Sequence, residues 1–599
     1  MTTWLLPFDS RAPRSLLTQL TRLAQRRRET AQWLARSFAR DLDHLSLVAL
    51  DVAVETGDPI GTVLAKAIAE KASPALVDAL LERCESGAYR ASVPLSELAL
   101  TVTESYVAKL CRKAAHDPLH RQELARSLGN LSARRGNLGR REAALEAIQE
   151  AVEIYRELQA EDPDVEPKLA RALDSLSARL GDVARRREAL TVAEEAVEIF
   201  RRLDNPAHEA RSGLAESLQN LGTRWHDLGR LEGCLQATQE AVDIVRKLAE
   251  ENPARYRSDL AVVLGNLAVI RSDLKDSIGA LKAAEEAAEL QRQLAAERPD
   301  VFLPGLAQRL NLLGAIRSER ALAEDALAAV REAVEIFRDL ADERPDAFLP
   351  ELARSLVNLG MMLQTLGRPE DAYEPIEEGL GLHRRLAHRE PARFMSDVAT
   401  DLNDLTLILN ELERFDEAVP MGTEAVGIYR RLADVVPDAF LPRLAKSLEG
   451  LGLALQGCGQ VEPAVATRRE SLAVWRQLAA RNPDVYRPDL ALSLYNLGLC
   501  LHELGRPEEA IALSTEGVEL RRQLCLENPE DQEPQLAGDL YSLGAILLDH
   551  GRHEEAVDVL GEALSLLRSS AKREPGPFSD WLGVFEERYR EAVEAAGRW

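Results

Sequence analysis

Aromatic residues are scarce in this 599-residue chain, only 5% of it, although 46% of the residues are apolar. Leu and Ala supply the difference, which favours helices. No apolar run reaches 18 residues, so no segment is expected to span a bilayer. The six cysteines (Cys84, Cys111, Cys234, Cys458, Cys500 and Cys525) form no CxxC pair, which excludes a disulfide framework. The opening MTTWLLPFDSRAPR lacks a basic stretch followed by an apolar one, so no secretory signal is expected and a reducing cytoplasm fits. Positive charge is short as well: the net charge is −25. Residues 1–120 hold 15 Lys+Arg against 14 Asp+Glu, and the remainder 59 against 85. An acidic remainder argues against binding to a phosphate backbone.

Catalytic signatures are missing too. There is no GxxxxGK[ST] loop, HExxH helix or nucleophile elbow. His116 and His120 flank a linker and His550 and His553 flank a turn; none has a second ligand set by spacing, so neither metal nor cofactor is expected. Cys458, in QGCGQ, and His502 occupy similar places in adjacent repeats. Stacked helices sit on the order of 10 Å apart, too far for a nucleophile–base pair. The chain is expected to be no enzyme.

What is present is a repeat. ERPDVFLPGLAQRLNLLG at 297–314 returns 46 residues later as ERPDAFLPELARSLVNLG. An "LAxxL" phrase or near variant begins at 124, 169, 214, 260, 306, 352, 398, 444, 490 and 536. Taking that first residue as offset zero, offsets 4 and 7 are Leu in all ten repeats, and offset 8 is always small. Offset 20 is Ala except at Cys234. Each repeat reads as a short first helix, a turn with Gly such as Gly367, a second helix of about 20 residues and a proline loop, P-D-x-F-L-P. An aromatic follows the first loop proline in seven repeats: Tyr256, Phe302, Phe348, Phe394, Phe440, Tyr486 and Phe578. These rings are expected to plug the joints between repeats.

Leu359, Gly360, Leu363, Gly367 and Ala372 resemble the signature positions of the tetratricopeptide repeat, and the likeness extends over residues 124–570. The period exceeds the family's usual 34 residues, and is similar to the extended repeats of kinesin light chains and large bacterial arrays. The resemblance implies an all-α, right-handed solenoid of helix-turn-helix repeats over 124–581. Residues 582–599 are then expected to form a capping helix and residues 1–120 a separate helical region. Within the latter, helices are expected at 94–114, at 74–85 and over the basic stretch 11–40.

In that family the exposed face of the first helices lines a groove, and Asn at offset 6 hydrogen-bonds a bound peptide. Offset 6 is Asn at Asn130, Asn220, Asn266, Asn358 and Asn496. Offset 2 is basic at Arg126, Arg171, Arg354 and Lys446, but no repeat has a basic offset 6, as the family's carboxylate clamp would require. Offset 9 turns from Ala133, Ala178 and Thr223 to Met361, Leu407, Leu453 and Leu499, and Val357, Tyr495 and Tyr541 join it from offset 5. An apolar stripe that packing does not use points to a partner. Offset 13 is acidic in seven repeats, and a local pair with Arg at offset 16 is expected to explain it.

The functional expectation is a non-catalytic scaffold that captures a peptide or amphipathic helix of a protein partner in the groove of repeats 6–10. Two alternatives are a regulatory subunit working with a separate effector enzyme, and self-assembly as a homo-oligomer.

Overall fold

The computed structural model describes residues 65, 68, 76, 77, 80, 81, 96–114, 118–203, 208–320, 322–573 and 575–597. The basic stretch 11–40 lies outside them, as does most of 74–85. Among the described residues every regular element is helical and there is no strand. None of these helices is long and apolar enough to cross a membrane. The chain divides at Leu349/Pro350 into two compact units. Each is an all-α solenoid stretch in which successive helices pack on one another.

The first unit holds α1 (Ser96–Lys113), α2 (Pro118–Asn137), α3 (Arg141–Gln159), α4 (Glu166–Asp182), α5 (Arg186–Arg202), α6 (His208–Asp227), α7 (Leu231–Glu251), α8 (Pro253–Asp273), α9 (Ser277–Glu297), α10 (Pro299–Glu319) and α11 (Ala323–Glu343). The second takes in most of α12 (Pro345–Thr365). It continues with α13 (Pro369–Arg389), α14 (Pro391–Glu411), α15 (Phe415–Val435), α16 (Pro437–Gly457), α17 (Val461–Arg481), α18 (Pro483–Glu503), α19 (Pro507–Glu527), α20 (Pro529–Asp549), α21 (His553–Arg573) and α22 (Pro575–Ala595).

The geometry corrects the expected proline loop. P-D-x-F-L-P is no loop: it is the start of the next first helix, as in α10, whose first residue is Pro299 and whose interior holds Pro304. From α7 onward both helices of a repeat are then 21 residues long. The joint before the proline is a single extended residue, Arg298 at φ −145° and ψ 79°. The residue before a proline is pushed out of the helical region, which breaks the chain direction in one step. Proline itself fits the first helical position, where its missing N–H is not needed. The 46-residue period is thus two 21-residue helices, a three-residue turn and a one-residue joint.

Between the paired helices, Gly367 sits at φ 68°, and the following Arg368 N–H reaches the Leu363 carbonyl at 2.9 Å, a left-handed helix stop that glycine takes without steric cost. Ala184, Lys275 and Glu413 hold the same turn at positive φ without being glycine.

The leucines at offsets 4 and 7 are buried throughout both units, from Leu128 and Leu131 to Leu540 and Leu543. The small residues at offset 8 face offset 20. A Cβ placed on Gly360 would come within 2.9 Å of the Ala372 carbonyl, so the close approach of the two helices depends on the missing side chain. The repeated aromatics act at the first turn of each first helix. Phe394 and Tyr256 are buried, and Phe394, Phe440 and Tyr486 lie 6.5, 6.4 and 6.0 Å from the rings of His383, Tyr429 and Trp475 on the preceding second helix.

Polar ladders tie neighbouring repeats. Offset 32 is Arg and offset 26 is Glu in all ten repeats, and the Arg of one repeat meets the Glu of the next. Arg156–Glu195 and Arg201–Glu240 do so in the first unit at 2.8 and 2.6 Å. Arg430–Glu470 and Arg476–Glu516 do so in the second at 2.6 and 2.7 Å. The acids at offset 13 also bond across repeats: Gln364 donates to Glu411 at 2.9 Å, and His226 meets Asp273 at 3.0 Å. The expected pairing with offset 16 does not form. Arg185, Arg414 and Arg552 turn forward instead to Glu188, Glu417 and Glu555, where the second helix continues without the turn that separates them from offset 13.

Candidate functional site

The first helices pack their offset 4, 7 and 8 side chains against the second helices. Offsets 2, 5, 6, 9 and 13 are left on the other face. On that face the structure separates the candidate residues into those held by the fold and those left open.

Three of the five asparagines are engaged by the preceding repeat. Asn266 donates to Gln219 at 2.8 Å and Asn496 to Glu449 at 3.2 Å, while Asn220 hydrogen-bonds Asp174. Each joins offset 6 of one repeat to offset 5 of the last, and Ser542 continues the pattern to Tyr495 at 3.3 Å. Asn130 and Asn358 are exposed. Arg126 and Arg171 are exposed, and Arg354 is held by Glu351 at 2.7 Å.

The apolar stripe divides in the same way. Val357 is buried, with its methyl against the Gly379 backbone, so packing uses it after all. Tyr541 stacks on Phe585 of α22 at 4.3 Å and belongs to the end of the solenoid. Met361, Tyr495 and Leu499 are half-buried. Leu407 and Leu453 stay 36% and 44% exposed, and Leu492 joins them at 48%. Leu492 was not among the candidates. Its signal was available, since offset 2 lies two turns from offset 9 on one line of the helix. Beside these leucines two carboxyls are perturbed: burial, then Asp401, pushes Asp404 up to about 7, and burial raises Asp489 against the pull of Lys446.

Over α2, α4 and α6 of the first unit the same face is polar, while α8 leaves Val262 and Val269 exposed on it. A cavity of about 330 Å³ opens between α2, α4 and α6, and Asp174, Arg171 and Glu216 line it. Asp174 is 8% exposed and accepts from the Ser217 hydroxyl at 2.5 Å. Burial pushes its carboxyl up to about 7, Ser217 and Asn220 working against the shift and Glu216 with it. An apolar stripe gives no sign of this cavity. Its trace in the sequence is the small offset 9, Ala133 and Ala178.

The structure does not bring Cys458 and His502 together. The Cys458 thiol lies 3.4 Å from Asp416, and burial followed by that carboxylate raises its pKa, the opposite of what a nucleophilic thiolate needs. His502 faces His550 at 3.1 Å and Asp549 at 3.4 Å.

Sequence profiles of the tetratricopeptide repeat match residues 124–158 and 352–387, and another of the same description matches 443–523. Two of these segments begin where repeats 1 and 6 begin. Similar solved structures include BtubC (BKLC) from P. vanneervenii, 19% identical over 41% of this chain and 92% of that one, with a TM-score of 0.35. A Podosopora anserina putative kinesin light chain with nearly identical TPR-like repeats is 17% identical over 37% of this chain and 97% of that one, TM-score 0.30. The apo form of RapI is 13% identical over 67% of this chain and 98% of that one, TM-score 0.46. No curated protein matches the chain.

Proposed function

Because this chain is a tetratricopeptide repeat protein, we propose that it is a non-catalytic scaffold whose second unit captures an amphipathic segment of a protein partner. The observation that carries this reading is the set of three leucines left open on successive first helices: Leu407 on α14, Leu453 on α16 and Leu492 on α18. The leucines of the frame, at offsets 4 and 7, are by contrast all buried. Leucines held open at fixed register, on a face that packing leaves free, fit the apolar side of a partner helix or strand. Asp404 and Asp489 beside the stripe favour a partner with basic residues flanking its apolar ones. Such binding depends on burial, so anchors at helical spacing are expected to dominate it.

The test is selection of peptides from a random displayed library on the wild type and on a Leu407→Glu, Leu453→Glu variant. Enrichment of amphipathic peptides by the wild type alone supports the reading. Equal enrichment by both proteins, or none by either, removes it. Light scattering on the same pair addresses self-association: mass that rises with concentration only for the wild type would assign the stripe to a second copy.

A further inference from the structure

We propose that the cavity between α2, α4 and α6 is a binding site for a basic side chain of a partner, whose charged N–H groups Asp174 receives. The site lies in the first unit and stands independently of the leucine stripe.

The argument begins with an acceptor that the protein does not satisfy. Ser217 and Asn220 both hydrogen-bond the Asp174 carboxyl, the Ser217 hydroxyl at Oδ2, while Oδ1 is buried without a hydrogen-bond partner. A buried carboxylate oxygen of this kind requires a donor. The two cations nearby are not it. Arg179 is held by Asp182 at 3.0 Å, and Arg171 acts on Glu216, lowering the pKa that burial raises. The deficit in the cavity is therefore one of donors, and the second carboxylate, Glu216, adds to the negative potential.

The space suits an organic cation. A cavity of about 330 Å³ has room for several waters at roughly 30 Å³ each, or for one long side chain with its head group. Its size comes from the small residues Ala133 and Ala178, at the register where the second unit carries Leu407 and Leu453. Among the described residues no three His, Cys, Asp or Glu side chains gather to hold a metal. Two carboxylates beside guanidiniums that acids already claim also disfavour an anion. A planar guanidinium presents several donors at once and can meet the Asp174 carboxyl while lying against Glu216.

The experiment is calorimetric titration of the full chain at pH 8.5, where the Asp174 carboxyl, pushed up to about 7, is ionised, with N-acetyl-L-arginine methylamide and with its uncharged isostere, N-acetyl-L-citrulline methylamide. Saturable binding of the arginine probe is expected at Kd of roughly 1–10 mM, as for a single side chain, and at least about tenfold weaker binding of the citrulline probe. Asp174→Asn is expected to weaken the arginine probe by about tenfold or more. Ala178→Leu is expected to abolish binding by filling the cavity. That residue already stands at the same register in α14 and α16, so the helix accommodates it. Arg171→Ala, by removing a like charge, is expected to leave binding intact or tighten it. Equal affinity for the two probes, unchanged binding in Asp174→Asn, or no saturable binding of the arginine probe would each overturn the proposal.

Discussion

The two units share one frame and differ in what they leave facing outward. In both, the leucines at offsets 4 and 7, the small pair at offsets 8 and 20, and the Arg–Glu ladder recur. At offset 9 the first unit has Ala133 and Ala178 beside a polar cavity and a single exposed Val269, whereas the second has Leu407 and Leu453 exposed on successive first helices. The joints between repeats differ as well. At offset 31 both units bury aromatics, Tyr155, Phe200 and Phe337 in the first and Tyr429 and Trp475 in the second, and polar pairs make the difference. The second buries a His383–Asp401 pair at 2.6 Å and an Arg521–Asp539 pair at 3.0 Å. The frame is common property, and whatever distinguishes the units chemically lies in the positions it does not constrain.

The joints offer the largest expected effect. Arg521 and Asp539 are 5% and 8% exposed, so Asp539→Ala strands a buried cation and is expected to cost roughly 3–5 kcal/mol in urea unfolding. Phe200→Ala in the first unit is expected to cost about as much, through a cavity. The two joints part company on replacement. Arg521→Met with Asp539→Leu is expected to be neutral or stabilising, because it removes the desolvation cost along with the pair. A loss under 1 kcal/mol for Asp539→Ala would mean that water reaches this joint.

The acidic face responds to pH. Asp174 titrates at about 7 when folded, against 3.8 as its ordinary value. Between these values the folded chain holds a proton that the unfolded chain releases, so this group's contribution falls as pH rises through that window and is flat above it. Asp174→Asn does not titrate. Its stability relative to the wild type is therefore expected to improve by on the order of 1–4 kcal/mol between pH 4 and pH 8, followed by thermal melts at both ends. A constant offset across that range would place the carboxyl in water.

What was legible in the sequence was whatever recurs at helical spacing. Leu128 through Leu540 could be assigned to the core because offsets 4 and 7 return with the period. The joints are not legible in this way, because proline reads equally as a helix stop and a helix start; Pro299 starts a helix, and the direction change belongs to Arg298 alone. The Arg–Glu ladder was fully readable, since both residues stand in all ten repeats, but charges on a helix face drew attention to local pairs. Val357 looked free by register and is not. Its burial depends on Gly379 opposite, a tertiary neighbour that no period reveals. Asp174 was invisible for a like reason, since its environment comes from three different helices.

The turns sharpen the comparison more gently. Lys275 in the first unit and Glu413 in the second occupy φ 63° and 55°, where Gly367 stands in its own repeat at 68°. A side chain costs about 1 kcal/mol or slightly more in that region. Lys275→Gly and Glu413→Gly are each expected to stabilise by about that amount, less the added freedom of the unfolded chain. A loss of stability in either would mean that the replaced side chain does more than occupy the turn.

The smallest effect is expected from the feature the units share most completely. Arg430 and Glu470 are 52% and 40% exposed in their side chains and meet at 2.6 Å. An exposed pair of this kind contributes roughly 0.2–1 kcal/mol, because side-chain ordering and solvent screening offset most of the attraction. A double-mutant cycle with Arg430→Ala and Glu470→Ala is expected to return a coupling in that range and to lose most of it at 1 M salt. Arg201 with Glu240 is expected to behave the same way in the first unit. Recurrence in all ten repeats then reflects alignment rather than strength. Each pair rewards only the register in which second helices stack, and many weak rungs along one line select that register collectively. A coupling well above 1 kcal/mol would instead make the ladder a main source of stability, and the units would be alike in energetics as well as in frame.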